Sequence, residues 1–380
     1  MRKWRTSFAL LAAFSLVAAA CGDDDEDPVA ESSTSDGGST ATTVDDAEPE
    51  CGLVSDAPTP EEPAAGEAGA DLSVGLVYDV GGRGDKSFND SAAAGFDRAT
   101  TEFGFTPVEL EPEAGGENRE ELLRTLAEDG TNLVFAVGFA FADSVTAAST
   151  DYPDTTFGLI DSVVEADNVA SLVFAEEQGS FLVGAAAASK STTGKIGFIG
   201  GVEIDLIKKF EAGYVAGAKQ VNPDIEIEIS YITPAGDFSG FNDPAKGKEI
   251  AKGMYDGGAD VVYHAAGGSG SGLFEAAAET GQQCEIWAIG VDSDQILTAP
   301  ADQQPYILTS MLKRVDVAVY ETAQASVDGT LAGGITAFDL SVDGVGYSTN
   351  NTGLDAATQA TLEDLKQQII DGEIEVPTAP

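Results

Sequence analysis

Residues 74–96 constrain the fold more than any other stretch of this chain. The run Val74 to Tyr78 is apolar without alternation, as in a strand covered on both faces. Gly81, Gly82 and Gly84 then supply a flexible turn, and Ser87 is a candidate N-cap for a helix that continues past Phe96. The same order of strand, turn and Phe-containing helix returns over 196–214. Strand patterns fall at 72–80, 106–111, 133–137, 156–161, 169–174, 195–200, 225–232, 261–265, 285–291 and 306–311. Helical patterns lie between them, at 119–128, 181–188, 206–218, 244–255 and 273–280. This alternation predicts an α/β protein with parallel sheets and right-handed crossovers. A body of 71–375 is long for one core, so two doubly wound lobes with a cleft between them are expected. Chain crossings are expected near 174–178, near 290 and after about 328. That gives one lobe of 71–175 plus about 291–328, and a second of 176–290 plus about 329–375.

The first seventy residues read differently. Arg2, Lys3 and Arg5 precede an apolar run over 8–20 and then Cys21, the pattern of a secretory signal over 1–20. Ala18-Ala19-Ala20-Cys21 is similar to a bacterial lipobox, in which the cysteine is acylated, although Ala18 stands where Leu is commonest. The alternative is ordinary cleavage after the alanines. Residues 21–70 are rich in Asp, Glu, Ser, Thr, Gly and Pro and are expected to be a lipidated, disordered acidic tether at the extracytoplasmic face of the cell membrane. The chain carries a net charge of −46, which repels nucleic acid and fits either a saline habitat or simply an acidic secreted protein. With Cys21 acylated, Cys51 and Cys284 remain as an even pair, either bonded to each other or free. The single histidine, His264, and the lack of a C-x-x-C spacing give no metal site, and no cofactor is implied.

Strand ends mark the candidate binding residues, because open α/β sheets bind ligands at the carboxyl ends of their strands. Asp85, Lys86, Phe88 and Asn89 gather there after the first strand and combine charge, an aromatic face and an amide. Asp161 closes the strand 156–161, where it can face the cleft or hold a turn. Asp292 ends 285–291, and a carboxylate there can accept from two adjacent hydroxyls of a ligand. The run Gly267-Gly-Ser-Gly-Ser-Gly272 fails the G-x-G-x-x-G register, since the sixth residue is Leu273 from Gly268 and Glu275 from Gly270. Its backbone N–H groups, Gly268 among them, suit a sugar hydroxyl better than a phosphate. Phe241-Asn-Asp-Pro244 reads as a loop and helix start, capped by Asn242 or Asp243.

Several segments taken in order resemble the basic membrane lipoprotein (BMP) family, which includes purine nucleoside receptors of ABC importers. They are Asp85-Lys-Ser-Phe-Asn89, Phe135-Ala-Val-Gly-Phe139, Asp167-Asn-Val-Ala-Ser-Leu-Val-Phe174, Phe210-Glu-Ala-Gly213 and Phe241-Asn-Asp-Pro-Ala-Lys-Gly-Lys248. Ala265-Ala-Gly-Gly268, Gly290-Val-Asp-Ser-Asp-Gln295 and Ser310-Met-Leu-Lys-Arg-Val-Asp-Val-Ala318 complete the match. The resemblance implies a type I periplasmic-binding-protein fold, with two Rossmann-like lobes on a multi-strand hinge. It further implies that Phe88 and Tyr263 stack on the two faces of a purine, with Tyr263 rather than His264 facing the cleft. Asn89 and Asp161 would read the base edge, and Lys313 would meet the sugar or orient Asp292 or Asp316. Asp85 either touches ligand or orders its turn.

The function these readings favour is a monomeric, lipid-anchored solute-binding protein. It captures a nucleoside such as inosine, guanosine or adenosine and delivers it to an ABC-type permease. A sensor without transport is the first alternative. An enzyme, whether a nucleoside hydrolase or a nicotinamide-dependent oxidoreductase, is less favoured: no nucleophile elbow is present and His264 has no evident nucleophile partner.

Overall fold

The computed structural model describes residues 51–54 and 63–380. The expected signal segment, Cys21 and much of the tether lie outside the described residues. Two parts of the expected tether are instead fixed to the body. Cys51 is bonded to Cys284, and Leu53 bridges to Asn351. Further on, the Gly66 and Gly69 amides donate to the carbonyls of Thr101 (3.1 Å) and Phe103 (2.6 Å). Glycine at 66 is required there, because a Cβ would sit 2.1 Å from the Glu102 carbonyl oxygen.

The first sheet is built from β1 (Ser73–Val77), β2 (Thr106–Leu110), β3 (Leu133–Ala136), β4 (Thr156–Ile160) and β5 (Val169–Phe174). Its strand order is β2-β1-β3-β4-β5, extended at the far edge by β11 (Gly334–Phe338), and all its pairings are parallel. The second sheet repeats the plan with β6 (Lys195–Val202), β7 (Glu226–Thr233), β8 (Val261–Ala265), β9 (Trp287–Asp292) and β10 (Ile307–Lys313). Its order is β7-β6-β8-β9-β10, with β12 (Val345–Tyr347) antiparallel at the edge. In both sheets the order reverses at the first strand, the position where doubly wound sheets open a binding crevice.

Helices α1 (Phe88–Phe103), α2 (Arg119–Glu128) and α3 (Ala142–Asp151) serve the first lobe. Helices α5 (Asp205–Val221), α6 (Pro244–Asp256), α7 (Ser271–Glu279) and α9 (Ala356–Ile370) serve the second. Two more, α4 (Glu176–Lys190) and α8 (Val315–Val327), carry the chain from one lobe to the other. Small residues set the spacing of α4 against α5: a Cβ on Gly217 would lie 1.8 Å from the Phe181 carbonyl oxygen, and one on Gly184 2.1 Å from that of Tyr214. The two backbones therefore touch directly.

The two-lobed α/β architecture matches expectation, but the lobe boundaries need correction. Strands β9 and β10 stay in the second sheet and β11 joins the first, so 291–313 and 334–338 each lie in the lobe opposite to the one expected. The crossings fall at 174–176, 313–315 and 338–340. The reason is physical: every central strand here is an apolar run of the same kind, and nothing local records which sheet it joins. The edge strands were invisible because β12 has three residues and β11 is mostly exposed. At the crossings, Ala175 N donates to the Phe338 carbonyl at 3.0 Å, and the rings of Phe174 and Phe338 stack at 5.1 Å.

Candidate functional site

A cavity lies between the lobes, lined from the carboxyl ends of β1, β4, β8, β9 and β10 and from the starts of α1 and α5. Asp85, Phe88, Asn89, Asp161, Asp292 and Lys313 all line it.

The turn after β1 is organised by Asp85. Its carboxylate accepts from the backbone N–H of Ser87 (2.9 Å), Asn89 (2.9 Å) and Asp90 (3.1 Å), which caps the start of α1. Ser87, the expected cap, makes no capping bond; its hydroxyl donates across the cleft to Asp292 Oδ2 at 2.7 Å. The Asn89 amide is engaged within the same turn: Oδ1 accepts from Asp79 N at 2.9 Å and Nδ2 donates to Asp85 at 3.1 Å. Asn89 thus borders the cavity mainly as the support of Asp79. Burial raises the carboxyl pKa of both Asp79 and Asp85.

Asp161 and Asp292 occupy matching places, one beyond β4 and the other at the end of β9, and both adopt the left-handed backbone conformation (φ 66° and 64°). This conformation is uncommon outside glycine but tolerated by Asp, and it turns each carboxylate toward the cleft. Lys313 ends β10 at the second crossing, and its ammonium forms an ion pair with Asp161 Oδ2. The same nitrogen lies 3.9 Å from Glu176 Oε1 and 4.7 Å from the Phe88 ring centroid. Burial opposes the charge on Lys313, but Asp161, Glu176 and Asp292 outweigh it and raise its pKa. Burial pushes Asp292 up to about 6 against the pull of Lys313 and Ser87. Glu176, the first residue of α4, is likewise raised by burial. Asp161 Oδ1 is buried and has no hydrogen-bond partner among the described residues.

Two expected contacts are not where they were sought. Tyr263 is fully buried and does not line the cavity. Its hydroxyl meets Ser180 Oγ at 3.2 Å, and its ring packs on Tyr214 (5.2 Å) and Phe198 (5.6 Å). His264 points to the opposite face, toward Phe274 and Gln295. Side chains inside a strand stand perpendicular to the sheet, and helices cover both faces here. Only residues at or past the strand end, here Ala265, Ala266 and Gly267, reach the cleft. Gly268 follows them at the rim, where a Cβ would sit 3.7 Å from that of Asp85.

Sequence reasoning passed over Asp79 and the aromatic walls Phe139, Phe210 and Phe241. The three phenylalanines stand inside the segments that carried the family resemblance, which was the available signal. Phe241 sits two residues before the cap of α6, where Asp243 accepts from Lys246 N at 2.9 Å, so the cap reading holds but hid the nearby ring. No helix among the described residues is long and apolar enough to cross a membrane.

Comparison with known proteins gives the family. Residues 72–379 match the model of the family described as ABC transporter substrate-binding protein PnrA-like. The chain is 35% identical to the CD4+ T-cell-stimulating antigen of Listeria monocytogenes over 87% of this chain and 94% of that one. It is 36% identical to the ABC transporter nucleoside-binding protein BmpA of Lactococcus lactis subsp. cremoris, over 83% and 91%. Among solved structures, an ABC transporter system solute-binding protein from Aeropyrum pernix K1 superposes with a TM-score of 0.72 at 32% identity, covering 81% of this chain and 93% of that one. The chain belongs to the PnrA-like family of ABC transporter substrate-binding proteins.

Proposed function

We propose that this protein is an extracytoplasmic, lipid-anchored receptor that captures a purine nucleoside in the interlobe cavity and hands it to an ABC-type permease. One observation carries the reading: two buried strand-end carboxylates, Asp161 and Asp292, bracket Lys313 beside the Phe88 ring in a single cavity. Phe88 supplies one flat face, and Phe241 takes the role first sought in Tyr263 as the other. Asp79, held by Asn89 and Arg119, meets the base edge. Asp292 accepts from the ribose hydroxyls, while Lys313 and the unpartnered Asp161 Oδ1 complete the sugar end. The naming of the Lactococcus relative as nucleoside-binding supports the ligand class. The charged, then apolar, then Cys21 start of the chain supports the anchor.

Closure follows from contacts on both lobes: a ligand that touches both adds to the contacts the lobes make with each other and shifts the balance further toward the shut form. Calorimetry with inosine, guanosine and adenosine against hypoxanthine and guanine tests the reading. Nucleosides are expected to bind at least about tenfold more tightly than their free bases, because a missing ribose leaves buried polar groups unpaired. Equal affinity for guanine and guanosine overturns it.

A further inference from the structure

A single short turn of the second lobe reaches two places at once. The 3-10 turn Phe238–Phe241 sets Phe241 into the cavity wall and Phe238 against the first lobe. There the Phe238 ring meets that of Phe139 edge-on, with centroids 5.6 Å apart and planes at 73°, and the Arg119 guanidinium lies 5.9 Å from its centroid. The turn is stiff. Asp237 accepts from both Ser239 N (3.1 Å) and Ser239 Oγ (2.6 Å), and Gly240 lies so close to Gly201 that a Cβ would fall 2.1 Å from the Gly201 carbonyl oxygen. Phe238 and Phe241 therefore move as one piece.

The receiving side is equally fixed. Arg119 is buried, its Nη1 donates to the Gly116 carbonyl at 3.1 Å, and its Nη2 pairs with Asp79 Oδ1 at 2.9 Å. Asp79 itself lines the cavity, whereas Phe238 and Arg119 do not. A cavity-lining group on each lobe is thus rigidly joined to a contact that exists only while the lobes touch.

We propose that Phe238 is an affinity-setting latch outside the binding cavity: its seat on Phe139 and Arg119 stabilises the shut form and slows ligand escape. This rests on the nucleoside reading above. Edge-on aromatic pairs and cation–π contacts are each favourable, and here both are made in the shut state alone, so they shift the open–shut equilibrium. Escape requires opening, so the effect falls on the dissociation rate rather than on encounter.

The test uses the full-length mature chain as wild type, Phe238→Ala and Phe238→Tyr, with inosine as the probe. Stopped-flow kinetics should show the Ala variant releasing inosine about tenfold faster, with the association rate within about twofold of wild type. The Tyr variant, which keeps the ring, should restore slow release. In parallel, electron–electron distance measurements between spin labels on the two lobes, made without ligand, should show a wider separation in the Ala variant. An unchanged dissociation rate in Phe238→Ala, or identical interlobe distances, overturns the latch. If wild type fails to bind inosine, the nucleoside reading fails, and the distance comparison alone still decides the latch.

Discussion

Ser87 Oγ on the first lobe donates to Asp292 Oδ2 on the second at 2.7 Å, and this bond joins the two halves at the wall of the cavity. The bond occupies one oxygen of the Asp292 carboxylate, and on the proposed reading the other meets the ligand. Asp292→Asn keeps the shape but replaces an acceptor with a donor at the sugar. Charged hydrogen bonds contribute about 1.5–3 kcal/mol each, so calorimetry should show inosine binding weakened by about 100-fold. A 2′,3′-dideoxy analogue, which lacks the hydroxyls, should lose little on the same substitution. A loss of equal size for both ligands removes Asp292 from the sugar end.

Phe88 and Tyr263 separate a wall residue from a core residue. Phe88→Ala removes a stacking face, which is worth about 1–3 kcal/mol per base, so inosine affinity should fall by roughly 10- to 100-fold with little change in melting temperature. Tyr263→Phe deletes only the hydroxyl that meets Ser180 in the core. It should cost about 1 kcal/mol of stability and leave the affinity within about twofold. Chemical denaturation and calorimetry on the two variants check both halves, and a Tyr263→Phe protein that binds poorly reverses the assignment.

Acidification should act on binding and on the apo fold in opposite directions. Burial raises Asp292 from its ordinary 3.8 to about 6. The ligand needs the carboxylate, so below about pH 6 a proton must first leave, and affinity should drop by up to tenfold per unit while staying flat above it. For folding, a raised carboxyl favours the native state below about pH 4, and that contribution is lost as the pH climbs through about 6. The Asp292→Asn protein lacks both effects. Titrations at pH 4.5 to 7.5 that give parallel curves for wild type and Asp292→Asn contradict the assignment.

Much of this site was legible because it follows the rule of strand ends. Asp161, Asp292 and Lys313 each close an apolar run, and the sequence marks such ends as clearly as it marks the runs themselves. Tyr263 failed by the same rule, since it lies two residues before the end of β8, at a place where helices cover both faces of the sheet. Asp79 was missed because its neighbours at 81–89 offered so many polar groups, although Asn89 turns out to serve it. The lobe assignment of β9, β10 and β11 was hidden for another reason: sheet membership depends on long-range pairing, to which apolar runs of similar length contribute no address. The Phe238 contact was hidden similarly, because Phe238 and Phe139 sit in separate short 3-10 turns and meet only across the cleft.

The charge of the cavity should decide what it rejects. Asp79, Asp85, Asp161 and Asp292 line it, and Lys313 is the one cation among its lining residues. The Lys313 ammonium is already paired with Asp161, and the nearby Arg119 with Asp79. A phosphate on the ligand's 5′ oxygen would bring negative charge into this low-dielectric space with no unpaired cation among the described lining residues to meet it, an arrangement that costs several kcal/mol. Inosine 5′-monophosphate should therefore bind at least about 1,000-fold more weakly than inosine. Raising the salt should recover little of this, because buried charges are poorly screened. Competition of the monophosphate against inosine in calorimetry measures the ratio directly, and comparable affinities would show that the carboxylates do not face the ligand.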